Sequence, residues 1–146
     1  MDSMKKAILI VVGAVLAFLL IRMFIIIAVL LSTPHSEVHK EGLITGHKGN
    51  WEEAITHFDK AIEIRPHHEK AYTSRAFAKY KLGDYHGAIN DSKIAIGKYP
   101  FYGESYAVLG MAELNSGQRK DGCNDLNQAL ELGYIKAKEY INQYCN

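Results

Sequence analysis

Apolar residues fall along this chain in two regimes. From Ala7 to Leu31 every position is apolar except Arg22, a run of 25 residues. Wound as a helix it extends about 37 Å, against a hydrocarbon core of about 30 Å, which predicts a tilted transmembrane helix over residues 7–31. Beyond Ser32 the apolar positions recur at helical spacing instead. Glu52–Ile64, Tyr85–Lys98 and Arg119–Leu132 each carry an apolar stripe, and a last helix is expected over Ile135–Tyr144 with Ala137, Ile141 and Tyr144 on one face. Gly49, Gly83 and Gly117 suit helix ends that need a left-handed backbone, and Asn50 and Asp84 follow as caps. Pro66 and Pro100 stop the helices before them, because the residue preceding proline is pushed out of helical geometry.

The same marks return at a period of 34 residues. Val38 falls on Tyr72 and Tyr106, Gly42 on Ala76 and Gly110, Trp51 on Tyr85, Ala61 on Ala95 and Ala129, and Pro66 on Pro100. The small residues at Gly42, Ala76 and Gly110 let paired helices approach closely. Three antiparallel helix pairs follow, and since none can bury its apolar face alone, they stack.

This register resembles the tetratricopeptide repeat (TPR) family from His35 to about Gly133, most specifically at Tyr72, Ala76, Gly83, Tyr85, Ala88, Ala95 and Pro100. Glu41 and Arg75 stand where the family commonly has leucine, with Leu109 alone obeying; Gly122 replaces the usual alanine and Tyr134 the closing proline. The expected fold is all-α: a tail (1–6), the transmembrane helix (7–31), a linker (32–36), an α-solenoid of three repeats (35–68, 69–102, 103–134) and a capping helix (135–146).

Composition narrows the function. Formal charge is +1, from 17 basic and 16 acidic residues spread along the chain, so no basic stripe predicts nucleic-acid binding. Glycine-rich phosphate loops, nucleophile elbows and H-E-x-x-H are missing; no catalytic residue, cofactor, metal or small-molecule substrate is expected. His35, His39 and His47 could share a helix face, but nothing beside them completes a metal site. No small-x-small cleavage site follows Leu31, so the apolar run reads as a retained signal anchor. Lys5 and Lys6 before it, against Lys40 alone in the first 15 residues after it, place the N-terminus in the cytoplasm and the repeats on the far side, periplasmic in a bacterium. Within the span, Gly13 and Ala17 form a small-xxx-small pair, and Arg22 either meets a partner helix or snorkels to the interface.

The resemblance implies a concave groove lined by the first helix of each repeat. By position it holds His39, Leu43, His47, Lys70, Thr73, Phe77, Tyr80, Lys81, Glu104, Ala107, Met111, Leu114 and Asn115. Phe77, Tyr80, Met111 and Leu114 would floor it under a mixed-charge rim, suited to an apolar or amphipathic segment. The family's carboxylate clamp does not map onto these positions, so a chaperone-tail receptor is not expected. If the chain folds back at Gly133, Cys123 and Cys145 meet at one end, which favours a bridge between them over two free thiols. Glu41 and Arg75 could pair between adjacent first helices. The function expected is a membrane-anchored protein-interaction module, a scaffold or assembly subunit for protein partners near the membrane. The alternatives are an accessory subunit held through its transmembrane helix, or an anchored receptor of the import type.

Overall fold

The computed structural model describes the backbone of residues 2–31 and 34–145, and the side chains of residues 11–27 and 35–145. The chain divides into two units, Met1–Thr33 and Pro34–Asn146.

The first unit holds helix α1 (Asp2–Leu31). Its reading as a membrane span over 7–31 does not stand: among the described residues no helix is long and apolar enough to cross a membrane. Within the described stretch, residues 11–27, the charge of Arg22 stands among apolar side chains, and its transfer into hydrocarbon is costly. The single-pass location, its sidedness and the membrane-embedded contacts assigned to Gly13, Ala17 and Arg22 lose their basis with it. Arg22 packs within its own helix, its guanidinium 5.2 Å from the Phe18 ring centroid. Residues 32 and 33 of the expected linker lie outside the described residues.

The second unit is a run of helices: α2 (Pro34–His47), α3 (Trp51–Ile64), α4 (Glu69–Lys81), α5 (Tyr85–Lys98), α6 (Gly103–Asn115), α7 (Arg119–Glu131) and α8 (Ala137–Tyr144). Four turns close in one way. Gly49, Gly83, Gly117 and Gly133 all have φ between 82° and 88°, the left-handed region where a side chain is strained. The next residue's N–H then reaches back five residues: Asn50 to Thr45, Asp84 to Lys79, Gln118 to Glu113 and Tyr134 to Ala129, over 2.8–3.2 Å. Asp84 caps α5 by accepting from Gly87 N–H at 2.9 Å, whereas Asn50 makes no side-chain cap. Arg65 and Tyr99, each before a proline, are extended and end α3 and α5.

The core is made of small residues into which a few large ones fit. Ala76, Ala107, Val108, Met111, Leu126, Ala129 and Ala137 form one cluster; Ala54, Phe58 and Ala78 form another. Gly110 and Gly122 face each other so closely that a Cβ on Gly110 would stand 2.6 Å from Gly122 O, and one on Gly122 2.7 Å from Gly110 O. This contact explains the glycine at 122, where the family pattern has alanine. The α8 helix closes the stack, burying Ala137, and Cys145 after it is bonded to Cys123 of α7 with Cα atoms 5.7 Å apart.

Two charged clusters sit inside this apolar frame. Arg75 pairs not with Glu41 but with carboxylates of the second helices. Its Nε and Nη2 donate to the buried Asp91 at 2.8 and 2.7 Å, and its Nη1 to Asp59 at 2.5 Å. Lys79 Nζ adds a second cation 2.8 Å from Asp91. Burial opposes the Arg75 charge, but the bonds to Asp91 and Asp59 outweigh it and hold its pKa above the ordinary value.

At the other end of the stack, burial pushes the Glu113 carboxyl up to about 8, Asp125 adds to the rise, and Lys93 Nζ at 3.9 Å opposes it. A carboxyl whose folded pKa exceeds its ordinary 4.5 stabilises the fold fully below the unfolded pKa and loses that contribution as pH rises through the folded value. The melting temperature is therefore expected to fall most clearly between about pH 6.5 and about pH 8, above the range in which His68 titrates. Glu113→Gln should flatten that slope and raise the melting temperature at the alkaline end, measured by circular dichroism. An unchanged slope in the variant would show that Glu113 does not titrate in this window.

Candidate functional site

The first helices α2, α4 and α6 and the turns beside them enclose a cavity of about 450 Å³. Its apolar wall is Leu43, Trp51, Phe58, Phe77, Val108 and Tyr134; its polar rim includes His47, Ser74, Lys81, Glu104 and Lys136. Gly42 and Gly46 make the wall thin, with the Phe58 and Trp51 rings resting where a side chain would otherwise stand. Trp51 begins α3, and Phe77 sits on α4 with its ring centroid 5.7 Å from that of Trp51, edge to face. Lys81 lies over both, 5.9 Å from Trp51 and 5.6 Å from Phe77. This cation makes no ion pair among the described residues. The carboxylate of Glu104, by contrast, accepts a short hydrogen bond from the Tyr102 hydroxyl.

The groove residues expected from sequence divide. Leu43, His47, Phe77 and Lys81 line the cavity with Glu104. Thr73, Ala107 and Met111 do not; all three are buried in the stack. Thr73 Oγ1 bonds the Ser105 hydroxyl at 2.7 Å and ties α4 to α6, and Met111 belongs to the core cluster. Tyr80 is half-buried, packs on that cluster, and receives a long hydrogen bond of 3.4 Å from Asn115 Nδ2. Leu114 and Asn115 line a second hollow of about 250 Å³ beside Arg119, Gln143 and Tyr144. Exposed Lys70 reaches the Tyr102 ring, 6.0 Å from its centroid. Trp51, Ser74, Val108, Tyr134 and Lys136 were not expected in the groove. The equivalence of Trp51 and Tyr85 in the 34-residue register is the signal that could have found the first of them.

The histidines separate as well. His47 bonds its own helix through Leu43 O at 2.7 Å. His35 and His39 instead pack on His68 of the first inter-repeat turn, each with centroids 4.9 Å away, and His39 Nε2 shares a 2.9 Å hydrogen bond with Ser74 Oγ. Burial lowers the pKa of His39, and burial with the neighbouring imidazoles lowers that of His68 to about 4. Neutral rings pack where protonated ones would repel. Among the described residues no group of three His, Cys, Asp or Glu is placed to hold a metal ion.

A family model described as "TPR repeat" matches residues 47–83, from the end of α2 through α4. Residues 47–83 are thus a tetratricopeptide repeat. Tetratricopeptide repeat protein 36 of Danio rerio is 30% identical over 120 residues, covering 75% of this chain and 64% of that protein. Small glutamine-rich tetratricopeptide repeat-containing protein 2 of Mycosarcoma maydis is 32% identical over 98 residues, covering 61% of this chain and 28% of that one. The chain thus spans less than two thirds of the length of either relative. Among solved structures, the first TPR domain of human RPAP3 superposes with a TM-score of 0.73 at 21% identity, covering 76% of this chain and 89% of that one. The TPR2B domain of yeast Sti1, in its pHsp70 complex, gives 0.70 at 25% identity, covering 77% and 94%. The second unit, a stack of helix pairs that carries this TPR repeat, is a protein–protein interaction module.

Proposed function

We propose that the groove between α2, α4 and α6 is the binding surface of this module, and that it holds one short segment of a protein partner and so serves as a scaffold or assembly subunit. The observation that carries this is the apolar cavity walled by Leu43, Trp51, Phe77 and Val108 with unpaired lysine charge at its rim. Apolar walls with a few polar groups at the edge favour a side chain that fills the hollow while the rim orients the chain around it.

Selection of peptides from a random display library against the wild-type chain tests this. The peptides recovered are expected to lose at least about tenfold in affinity to Leu43→Glu and to Phe77→Ala, the order of a lost hot-spot contact. Peptides that bind both variants as tightly as wild type would remove the groove as the site.

A second reading is favoured by the likeness to the Sti1 domain in its pHsp70 complex: a chaperone-derived peptide read through its terminal carboxylate, with Lys81 and Lys136 as the available cations. Amidating the C-terminus of such a peptide separates the two. A segment read internally keeps its affinity, and a chain end loses it.

A further inference from the structure

Three imidazoles meet where α2 joins the second repeat. His35 and His39, one turn apart on α2, each hold a ring edge to face with His68, centroids 4.9 Å apart, in the turn between α3 and α4. The bonds around them suit neutral rings. Arg65 Nη1 donates to His35 Nε2 at 3.2 Å, and since a guanidinium carries donors only, that nitrogen must accept. His68 Nδ1 is buried and has no hydrogen-bond partner among the described residues, so a charged ring would keep a donor there that nothing answers. The groups around the cluster divide. For His39, burial opposes the charge, joined by Lys70 and His35, while a hydrogen bond to the Lys70 backbone and the Glu104 carboxylate favour it. For His68, burial, His39, His35 and Arg65 oppose it and Glu69 favours it. Within the second unit α2 packs only on α3 and α4, and α3 takes most of that contact. The hydrogen bond from α2 to Ser74 of α4 and its ring contacts with the second repeat run through His35 and His39.

We propose that this cluster is an acid-released latch: protonation of its imidazoles frees α2 from the second repeat while the helix pairs beyond it stay folded. The direction follows from linkage. A histidine whose folded pKa is depressed leaves stability intact above its ordinary 6.5 and takes it away as pH falls through the folded value, about 4 for His68. Because α2 supplies Gly42, Leu43, Gly46 and His47 to the groove, its release removes one wall and weakens the hold on any segment seated there. That consequence rests on the groove being the binding surface; the latch itself does not.

Amide hydrogen exchange of the full chain, expressed as protection over the intrinsic rate at each pH, tests the latch. Between about pH 7.5 and about pH 5, protection of the α2 amides is expected to fall at least about tenfold more than that of α5 to α7. His68→Gln and His39→Gln should each shrink this difference and together abolish it, because glutamine takes no proton. His67→Gln, on the same turn but exposed, should leave it unchanged. His39→Lys, which carries the charge permanently, should lower α2 protection already at about pH 7.5. No selective fall in the wild type, a fall shared equally by α5 to α7, or one that survives the double glutamine variant overturns the latch. The groove is tested apart from it. A peptide selected by display at neutral pH should restore α2 protection at about pH 5, since a ligand of the latched form stabilises that form. A saturating peptide that leaves α2 protection low would remove the groove as the site and keep the latch.

Discussion

Arg75→Leu is expected to lower the unfolding free energy by about 3 kcal/mol, at the lower end of the range for removing one partner of a buried ion pair. Asp91 is only 1% exposed, and two of the bonds that keep its carboxylate in the protein interior come from the Arg75 guanidinium. Lys79, 2.8 Å away, stays behind and prevents the full cost. Leucine is the informative replacement, because Leu109 occupies the same register one repeat later and is buried there. Adding Asp91→Ala should recover more than half of the loss, since the cost lies in the stranded charge and not in the missing arginine. Asp59→Asn should cost less than about 1 kcal/mol, as Asp59 is 53% exposed and water already screens its pair. Urea unfolding followed by circular dichroism measures all three, with an unchanged m-value as the check on two-state behaviour. A loss below about 1 kcal/mol for Arg75→Leu alone would mean that Lys79 suffices for Asp91.

Replacing Cys123 and Cys145 together by serine should cost about 3 kcal/mol, the loop-closure value for the 22-residue separation. The loss has a location. The α8 helix has eight residues, too few to persist without packing, and contributes Ala137 to the core with Ile141 and Tyr140 half-buried beside it. With the bridge intact, its amides should exchange with those of α7. In the serine variant, or after reduction, residues 137–144 should exchange first while α3 to α5 keep their protection. Equal protection of α8 in both forms would show that packing alone holds the cap. The second hollow, which shares Tyr144 and Gln143 with α8, should open in the same step.

Most of the helical stack is legible in the 34-residue register. Gly49, Gly83 and Gly117 mark turns because a backbone at φ near 85° excludes most side chains, and that preference is local. Pro66 and Pro100 work likewise, through sterics on one neighbour. The groove is legible only in part. Leu43, Phe77 and Lys81 follow from the family resemblance carried over by position, but Thr73 and Met111, equally plausible on their helices, are turned into the stack. A few tens of degrees around a helix axis separates a lining residue from a core one, and the period does not resolve that angle. Trp51 belongs to the register but not to the first helices on which the groove was expected; it reaches the cavity from the start of a second helix, over Gly46.

The apolar run at the N-terminus shows the opposite failure. Hydropathy summed over 25 positions points to a membrane span, yet among the described residues no helix meets the length and apolarity that crossing demands. A sum over a window does not see that Arg22 divides it.

By itself, then, the sequence determined what depends on neighbours along the chain: helix limits, left-handed glycine turns, the repeat period and the meeting of Cys123 with Cys145 at one end of a hairpin. Only the tertiary structure decided which carboxylate holds Arg75, why position 122 must be glycine, and that Trp51 packs on Phe77, Phe77 on Tyr80 and Tyr80 on Tyr85. Those outcomes turn on ångström distances between helices, and such distances are set by how side chains of all the repeats pack at once.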